Sequence, residues 1–368
     1  MKARKLSDFP IKTEHNRVER LYTGGKLLDR WQKKPVEMDS TFSEDLLITT
    51  VEYIGPGHLA SKGLSQVKLE SGEFDDLKRI IQTDKEAFLG NRFLSSSDHP
   101  NVLVRVGDSN VRLVIQCHPN KEMARRHFNI SSGKTEAWYI VDTREIDGVR
   151  PHLYCGFKQG VTRESFKKLV EEQNIIGMLE SMHRLEVKVG DLFMIEAGMP
   201  HAMGSGCLFV EVHEPCDYTI RVERQYATKT LTDDEMHYGL GFDVLYDFFD
   251  YSTYSEQEIM KKVIGHLALE GKTENYSLYH CFDEDQSTSF NIKKVDINGA
   301  YMMPKFPGHY ILITVKNDIT IENENNRIFV AQGNGVFIPA NSELFSVVGN
   351  AEVLIAYPTL LNLEGVTV

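Results

Sequence analysis

Cysteine is scarce in this sequence, and no two cysteines are spaced as a pair. Among 368 residues there are five cysteines, scattered along the chain without a C-x-x-C motif: Cys117, Cys155, Cys207, Cys216 and Cys281. Isolated thiols in odd number do not form a complete disulfide framework, and they lack the spacing of a thiolate zinc site. The pattern therefore predicts free thiols in a reducing cytoplasm.

An excess of positive charge and a long apolar run are also missing. The formal net charge is −12, which argues against a nucleic-acid-binding surface. Residues 1–20 contain no apolar core behind their basic residues, and no segment has the apolar length of a membrane span. We therefore expect a cytoplasmic protein with neither a nucleic-acid partner nor a membrane anchor. Local lysines and arginines in a cleft can still bind an anionic small molecule.

The first half of the chain alternates strand-like runs with turns. Residues 45–54 read as a strand, and residues 102–106 and 111–117 flank the turn-forming stretch GDSN, which predicts a β-hairpin. Residues 120–128 are typical of a short helix. Residues 134–142 alternate and are rich in aromatic and branched side chains, which indicates another strand.

Two later segments have helical periodicity. Apolar residues in 162–185 recur at helical spacing after Thr162, a candidate N-cap, and we expect one helix or a pair broken near Gly177. Residues 232–267 form a second helical block, in which Ser255 begins a capping-box pattern.

The length of the chain allows two or three domains. We predict an N-terminal domain over residues 1–225, with the helical insertion at about 162–185 inside it. A helical segment would follow over 226–272, and a β domain made of short strands and turns would occupy 273–368. The predicted fold class is therefore mainly β with a helical insertion.

One internal repeat links the two β regions. GDLFMIEAGMPHAM (190–203) and GNGVFIPANSELFS (333–346) share a strand–turn–strand outline, but the second has Leu344 where the first has His201. A repeated β unit of this kind indicates two jelly-roll-like barrels. The first barrel would carry a polar site at His201, and in the second Leu344 and its neighbours would close the pocket.

The stretch VIQCHPN offers three candidate metal-binding side chains in a row. Because side chains alternate faces along a strand, Gln116 and His118 point one way and Cys117 points the other. Glu136 and His201 would complete a set of two nitrogens and two oxygens without a thiolate. Such a set suits a catalytic zinc ion, and Mn, Fe or Co also accept these ligand types. For His201 alone, a histidine bonded within its own Gly-rich loop is the simpler interpretation.

Four segments of the chain resemble, in order and spacing, motifs of the zinc-dependent type I mannose-6-phosphate isomerases of the cupin superfamily. The segments are IQCHP, GKTEAWYIVD, the turn before His201 and EVHEPCDYTIRV, all within residues 105–225. On this resemblance the metal ligands are Gln116, His118, Glu136 and His201, and the other motif residues are Lys134, Glu211, Asp217 and Arg221. The resemblance implies two cupin barrels, one zinc ion per chain, and the interconversion of mannose 6-phosphate and fructose 6-phosphate.

That reaction explains the residue types. Aldose–ketose isomerisation moves a proton between C2 and C1 through an enediol, so it needs a proton carrier and a stabilised oxyanion. Lys134 and Asp217 are both candidate carriers, and the sequence does not decide between them. Arg221 would supply a fixed positive charge for the enediolate. The structural alternatives are a solvated strand charge for Lys134, and an ion pair with Glu211 or Asp217 for Arg221.

The chain departs from the family pattern near the N-terminus. RLYTGG has Tyr22 and Thr23 where the family usually has Trp before the glycine pair, and Cys216 stands where the family generally has Ser. The acidic-aromatic strand that usually follows the glycine pair is not recognisable. These departures leave the phosphate pocket as the least defined part of the site. Five basic residues are candidates for it: Arg105, Arg112, Lys158, Arg221 and Arg224.

Two other functions fit the same motifs. One is an isomerase or epimerase that acts on another sugar, phosphorylated or not. The other is a non-catalytic, metal-binding, sugar-sensing cupin. The presence of Lys134, Asp217 and Arg221 argues against a sensor, since binding alone needs no proton carrier. The native metal and the oligomeric state are left open by the sequence.

Overall fold

Antiparallel β-sheets form most of the computed structural model, which describes residues 5–53, 63–91, 99–227, 229–282 and 289–359. One sheet, called here the front sheet, has this strand order in space: Met182–Glu186, His152–Lys158, His201–Met203, Gln116–Cys117 and Ile220–Arg221, with Thr253–Tyr254 beside His152–Lys158. A second sheet, the back sheet, has the following order: Leu192–Ile195, Glu136–Thr143, Cys207–His213, Leu103–Ser109, Glu44–Ile48 and Arg17–Val18.

A third, nine-stranded sheet contains the C-terminal strands. Its strand order in space is as follows: Ile11–Lys12, Gly335–Ile338, Tyr310–Lys316, Ser346–Pro358, Phe290–Met302, Tyr276–His280 and Ala268–Lys272. Ile319–Glu322 pairs with both Ser346–Pro358 and Arg327–Val330. Two further strand pairs are Gln66–Lys68 with Phe74–Asp76, and Gln225–Tyr226 with Lys229–Thr230.

Short helices connect and cover the sheets. The α-helices are as follows: Lys26–Trp31, Leu77–Thr83, Lys85–Leu89, Lys121–Phe128, Arg163–Glu171, Ile175–Glu180, Asp233–His237, Phe242–Leu245 and Glu256–Val263. Leu6–Asp8 and Tyr246–Phe248 are 3₁₀ turns. In the described part of the chain, no helix combines the length and the apolar character that crossing a bilayer would require. The predicted mainly β class, with two barrel-like β units and a helical insertion, is confirmed.

The front and back sheets pack face to face. Trp138 and Phe209 from the back sheet share a buried cluster with Leu153 and Met203 from the front sheet. The ring of Trp138 also meets the ring of His201 edge-on, with centroids 5.6 Å apart. Residues that point inward from either sheet therefore meet in the space between them.

The predicted hairpin over residues 102–117 is wrong. Leu103–Ser109 pairs with Cys207–His213 and Glu44–Ile48 in the back sheet, whereas Gln116–Cys117 lies in the front sheet. The chain crosses from one sheet to the other at residues 110–115 instead of turning back on itself. Local alternation predicted both strands but could not identify their partners, which are about 60 to 110 residues away in sequence.

The helical insertion is shorter and more divided than predicted. Thr162 caps the first helix, and its hydroxyl accepts a hydrogen bond from the backbone of Ser165. The break falls at residues 172–174, where Gln173 has φ +50°, and not at Gly177. Residues 182–186 are a strand of the front sheet. The predicted capping box at Ser255 is present and begins the helix Glu256–Val263.

Leu344 does not close the C-terminal barrel as predicted. Its side chain is on the surface, with 59% of the residue exposed. The interior is filled instead by a cluster that includes Phe345, Tyr301 and Val347. Phe345 therefore points inward, although Leu344, the residue before it, is the one that aligns with His201.

The predicted domain boundaries stay a prediction, and two details differ from them. Ile11–Lys12 pairs with Gly335–Ile338, so the N-terminal segment contributes an edge strand to the C-terminal sheet. Ala268–Lys272 pairs with Tyr276–His280, so that sheet begins before residue 273. All five cysteines are free, as the sequence predicted, and all five are buried.

One apolar core joins the two β regions. Leu47 and Val104 from the back sheet belong to the same buried cluster as Ile311 and Phe337 from the C-terminal sheet. Burial of side chains from both regions in one cluster couples their stability, because neither region can expose its share of the cluster without creating a void in the other.

Replacing Phe337 with alanine should therefore destabilise both β regions together. The side chain is fully buried, and truncation of a buried phenylalanine typically costs about 3–5 kcal/mol. Urea unfolding, followed by tryptophan fluorescence and by circular dichroism, would measure the loss. Phe329→Ala is the matched control, since Phe329 is 61% exposed and its loss should change the unfolding free energy by about 0.5 kcal/mol or less. Equal unfolding free energies for the two variants would contradict this description of the core.

Candidate active site

The strand Gln116–Cys117 lies between two strands that bring other polar residues to it. Gln116 is the register partner of His201 on one side and of Arg221 on the other. Cys117 faces away, fully buried in an apolar cluster, and its burial raises the pKa of its thiol well above the ordinary value. Strand alternation therefore turns Gln116 inward and makes Cys117 part of the apolar packing.

The imidazoles of His118 and His201 and the carboxylate of Glu136 converge between the two sheets. Glu136 Oε2 lies 3.4 Å from His118 Nε2, and Glu136 Oε1 lies 3.2 Å from His201 Nε2. The three side chains offer ligand atoms that all lie within 4.8 Å of one another. Gln116 Nε2 is 3.2 Å from His201 Nε2. The structure thus brings together the four residues that the sequence selected as a metal set.

Backbone carbonyls orient both histidines. His118 Nδ1 lies 3.0 Å from the carbonyl oxygen of Tyr218, and His201 Nδ1 lies 2.9 Å from that of Met199. A carbonyl only accepts hydrogen bonds, so Nδ1 of each ring carries a hydrogen and Nε2 is the nitrogen that faces the cavity. This orientation by backbone oxygens is typical of metal-binding histidines.

The protonation states also suit a divalent cation. Burial and the neighbouring charge of Lys134 lower the pKa of His118 to about 3, so its imidazole is neutral. Burial opposes ionisation of Glu136, but the charge of Lys134 outweighs it and the pKa of the carboxyl falls well below the ordinary value. Glu136 Oε1 is buried and makes no hydrogen bond. A buried carboxylate oxygen without a donor, facing two imidazoles, fits a bound cation.

Lys134 is buried beside this cluster and is not a solvated strand charge. Only 1% of the residue is exposed. Its ammonium lies 2.5 Å from Glu136 Oε2, 3.0 Å from His118 Nε2 and 3.1 Å from Glu211 Oε1. A buried lysine is costly unless it is paired, and here two carboxylates and an imidazole surround it.

Arg105 pairs with the two carboxylates that the sequence offered as partners of Arg221. Its guanidinium lies 2.7 Å from Glu211 Oε1 and 3.0 Å from Asp217 Oδ1. Arg221 instead donates from Nη1 to the carbonyl oxygens of Glu235, at 2.8 Å, and Thr219, at 3.3 Å. Arg221 remains part of the cavity wall, so it brings a positive charge that those carboxylates do not neutralise by direct contact.

The cavity between the sheets has a volume of about 650 Å³, including its open mouth. The proposed metal set, Lys134, Asp217 and Arg221 all line it. Of the five basic residues considered for a phosphate, Arg105 and Arg221 also line it. The other three bond elsewhere: Arg112 to Glu223, Lys158 to the carbonyl of Glu180, and Arg224 to Asp233.

Polar residues from the N-terminal part also line the cavity and were not predicted. Arg20, Glu44 and Tyr53 form part of the cavity wall. Arg20 lies 2.5 Å from Glu44 Oε2 and stacks over the ring of Tyr53, with its guanidinium carbon 4.3 Å from the centroid. No local motif marks them, because the strand Glu44–Ile48 and the segments before and after it contribute one residue each. The glycine pair that follows Arg20 was the nearest signal in the sequence.

No protein-family model matches the chain. A probable mannose-6-phosphate isomerase of Bacillus subtilis, GmuF, is 25% identical over 273 residues, which cover 71% of this chain and 79% of that protein. The mannose-6-phosphate isomerase ManA of the same organism is 26% identical over 273 residues, covering 70% of this chain and 74% of that protein.

Solved structures that resemble this chain carry the same kind of name as these relatives. The crystal structure of the mannose 6-phosphate isomerase from Bacillus subtilis superposes with a TM-score of 0.74 at 20% identity, covering 95% of this chain and 100% of that chain. A putative mannosephosphate isomerase from Archaeoglobus fulgidus gives 0.70 at 18% identity, covering 96% and 98%. The resemblance predicted from the four motifs is therefore confirmed and extends over almost the whole fold.

Proposed function

We propose that this chain, whose relatives and structural neighbours are named mannose-6-phosphate isomerases, interconverts mannose 6-phosphate and fructose 6-phosphate in a metal-dependent reaction. The single observation that carries the proposal is the buried cluster of His118, Glu136 and His201 with Lys134 against it. A structural cupin would have no need to hold an ammonium group, a carboxylate and two oriented imidazoles at the base of a cavity.

The metal in this proposal is one zinc ion, held by Gln116, His118, Glu136 and His201. Rotation of the Gln116 amide by half a turn exchanges its nitrogen and oxygen, so that the oxygen faces the cluster. This ligand set carries one formal negative charge, so the site stays net positive. When bound, the ion would polarise the oxygens of the sugar.

The side chains of the cavity would move the protons. In the forward direction the proton on C2 of the aldose is removed and returned to C1, while the hydroxyl proton passes from O2 to O1. Lys134 is the proposed carrier, since it lies at hydrogen-bond distance from the ligand cluster. It would accept the proton from C2 as a neutral amine and return that proton to C1 from the resulting ammonium. Asp217 is the weaker candidate because Arg105 already binds its carboxylate. Arg221 would stabilise the negative charge of the enediolate.

A coupled assay tests the substrate directly. Purified, zinc-loaded protein should convert mannose 6-phosphate to fructose 6-phosphate, and unphosphorylated mannose should react with a much higher KM. A panel of other aldoses, each with and without phosphate, identifies an isomerase or epimerase of different specificity. Bound zinc without turnover of any sugar in the panel would contradict the proposal and favour a sensor.

A further inference from the structure

Arg20 is a cavity residue that the four motifs do not include. Its side chain is 10% exposed, and its Nη2 lies 2.5 Å from Glu44 Oε2 and 3.9 Å from Asp217 Oδ1. The guanidinium stacks over the ring of Tyr53. Among the described residues, no acceptor forms a hydrogen bond to its Nε, although that atom is buried. A buried guanidinium with an unused donor is costly unless a ligand completes it.

We propose that Arg20 binds the phosphate group of the substrate, an inference that rests on the proposed function. Guanidinium groups match phosphate oxygens through two parallel N–H donors, which makes arginine the usual residue for this recognition. Stacking on Tyr53 holds the planar group in one orientation, so little side-chain entropy remains to be lost when phosphate binds.

The charge of the whole cavity supports a dianionic ligand. Four cationic side chains line it, Arg20, Arg105, Lys134 and Arg221, and so do four carboxylates, Glu44, Glu136, Glu211 and Asp217. The formal charges of these eight side chains cancel. A bound divalent cation would leave a surplus of two positive charges, which equals the charge of a fully ionised phosphate monoester.

Arg105 and Lys134 are already paired with carboxylates, and Arg221 is assigned to the enediolate. The guanidinium nitrogens of Arg105 bind the carboxylates of Glu211 and Asp217, and the ammonium of Lys134 lies against the ligand cluster. The Nη1 group of Arg221 donates hydrogen bonds to two backbone carbonyls. Among the described residues that line the cavity, Arg20 is the cation with a buried donor that makes no hydrogen bond.

The position of Arg20 also suits the far end of a hexose 6-phosphate. Ion pairs connect Lys134 to Glu211, Glu211 to Arg105, Arg105 to Asp217, and Asp217 to Arg20, so Arg20 lies at the opposite end of this series from the ligand cluster. Its neighbours Tyr53 and Asp217 line both this cavity and a second, more open one beside it. The reacting carbons, C1 and C2, and the phosphate on C6 are likewise at opposite ends of the sugar.

The test uses Arg20→Met and Arg20→Lys in the metal-loaded protein. Arg20→Met should weaken the binding of inorganic phosphate, measured by titration calorimetry, and raise the KM for mannose 6-phosphate, each roughly 10- to 100-fold. The KM for unphosphorylated mannose should change much less, so the preference for the phosphorylated sugar should fall. Arg20→Lys should have a phosphate affinity and a KM between those of Arg20→Met and the wild type, because lysine keeps the charge but lacks the two parallel N–H donors.

Removal of Arg20 takes the nearest ion-pair partner from the buried Glu44, which keeps the hydroxyl of Tyr22 and a longer contact of 3.7 Å with Arg105. The double variant Arg20→Met/Glu44→Gln therefore keeps the test valid if the single variant misfolds. Arg112→Met is the matched control, since Arg112 pairs with Glu223 and is not among the residues that line the cavity. It should leave phosphate binding unchanged.

Three outcomes decide the proposal. A folded Arg20 variant that binds phosphate as tightly as the wild type would overturn it. The proposal would also be overturned if the wild type is active and Arg20→Met raises the KM of mannose and of mannose 6-phosphate equally. A wild type that isomerises no sugar, but whose phosphate binding requires Arg20, would support the anion site while the proposed function fails.

Discussion

Replacing His118 with alanine should remove the bound metal and reduce isomerisation to the background rate. The Nε2 atom of His118 and Glu136 Oε2 face each other 3.4 Å apart, and the backbone carbonyl of Tyr218 orients the ring. Changes to residues that only orient a ligand typically cost 10- to 100-fold in metal affinity or activity, so the loss of a ligand should cost more than roughly 100-fold. Metal content after dialysis and the rate with mannose 6-phosphate are measured on the same sample.

His183→Ala is the matched control for this variant. His183 is also buried and also lies against one backbone carbonyl, 2.9 Å from that of Tyr254, but it is outside the ligand cluster. Its loss should lower the melting temperature without changing metal content or turnover. Full metal occupancy in folded His118→Ala protein would exclude His118 from the ligand set.

Replacing Lys134 with methionine should greatly reduce turnover while the metal stays bound. General acid–base groups typically contribute 10²- to 10⁴-fold to a rate, so we expect a loss of about that size in kcat. The ammonium of Lys134 lies against the same Glu136 and His118 atoms that would hold the cation. Removing its charge should therefore leave metal affinity equal or higher.

Hydrogen exchange identifies the lost step. In D₂O the wild type should introduce solvent deuterium at the reacting carbons of the sugar, and Lys134→Met should not. Lys294→Met is the matched control, since Lys294 is also a poorly exposed lysine paired with two carboxylates, Asp296 and Glu352, but lies in the C-terminal sheet. If Lys134→Met still turns over while Asp217→Asn loses turnover with its metal bound, Asp217 is the carrier instead.

The elements of the site could be predicted from the sequence because strand alternation is a local property. The alternation in VIQCHPN correctly turned Gln116 and His118 away from Cys117, which packs in an apolar cluster. The ordered motifs then named Glu136 and His201, and the structure brings all of them to one cavity.

Strand partners and long-range contacts could not be predicted in the same way. The strand Gln116–Cys117 pairs with neighbours about 85 and 100 residues further along the chain, so the expected local hairpin was wrong. Arg20 meets Asp217 through the tertiary fold alone, and no spacing rule connects them. Leu344 aligned with His201 by sequence, but the neighbouring Phe345 is the residue that points inward.

The most direct test of a metal-dependent isomerase is to restore the metal to chelated protein while bound zinc and turnover of mannose 6-phosphate are measured together. The geometry of His118, Glu136 and His201 predicts no turnover without metal, then a linear rise with bound zinc that ends at about one ion per chain. Turnover that is unchanged by complete removal of metal would contradict this account. So would one tightly bound zinc ion per chain without any isomerisation.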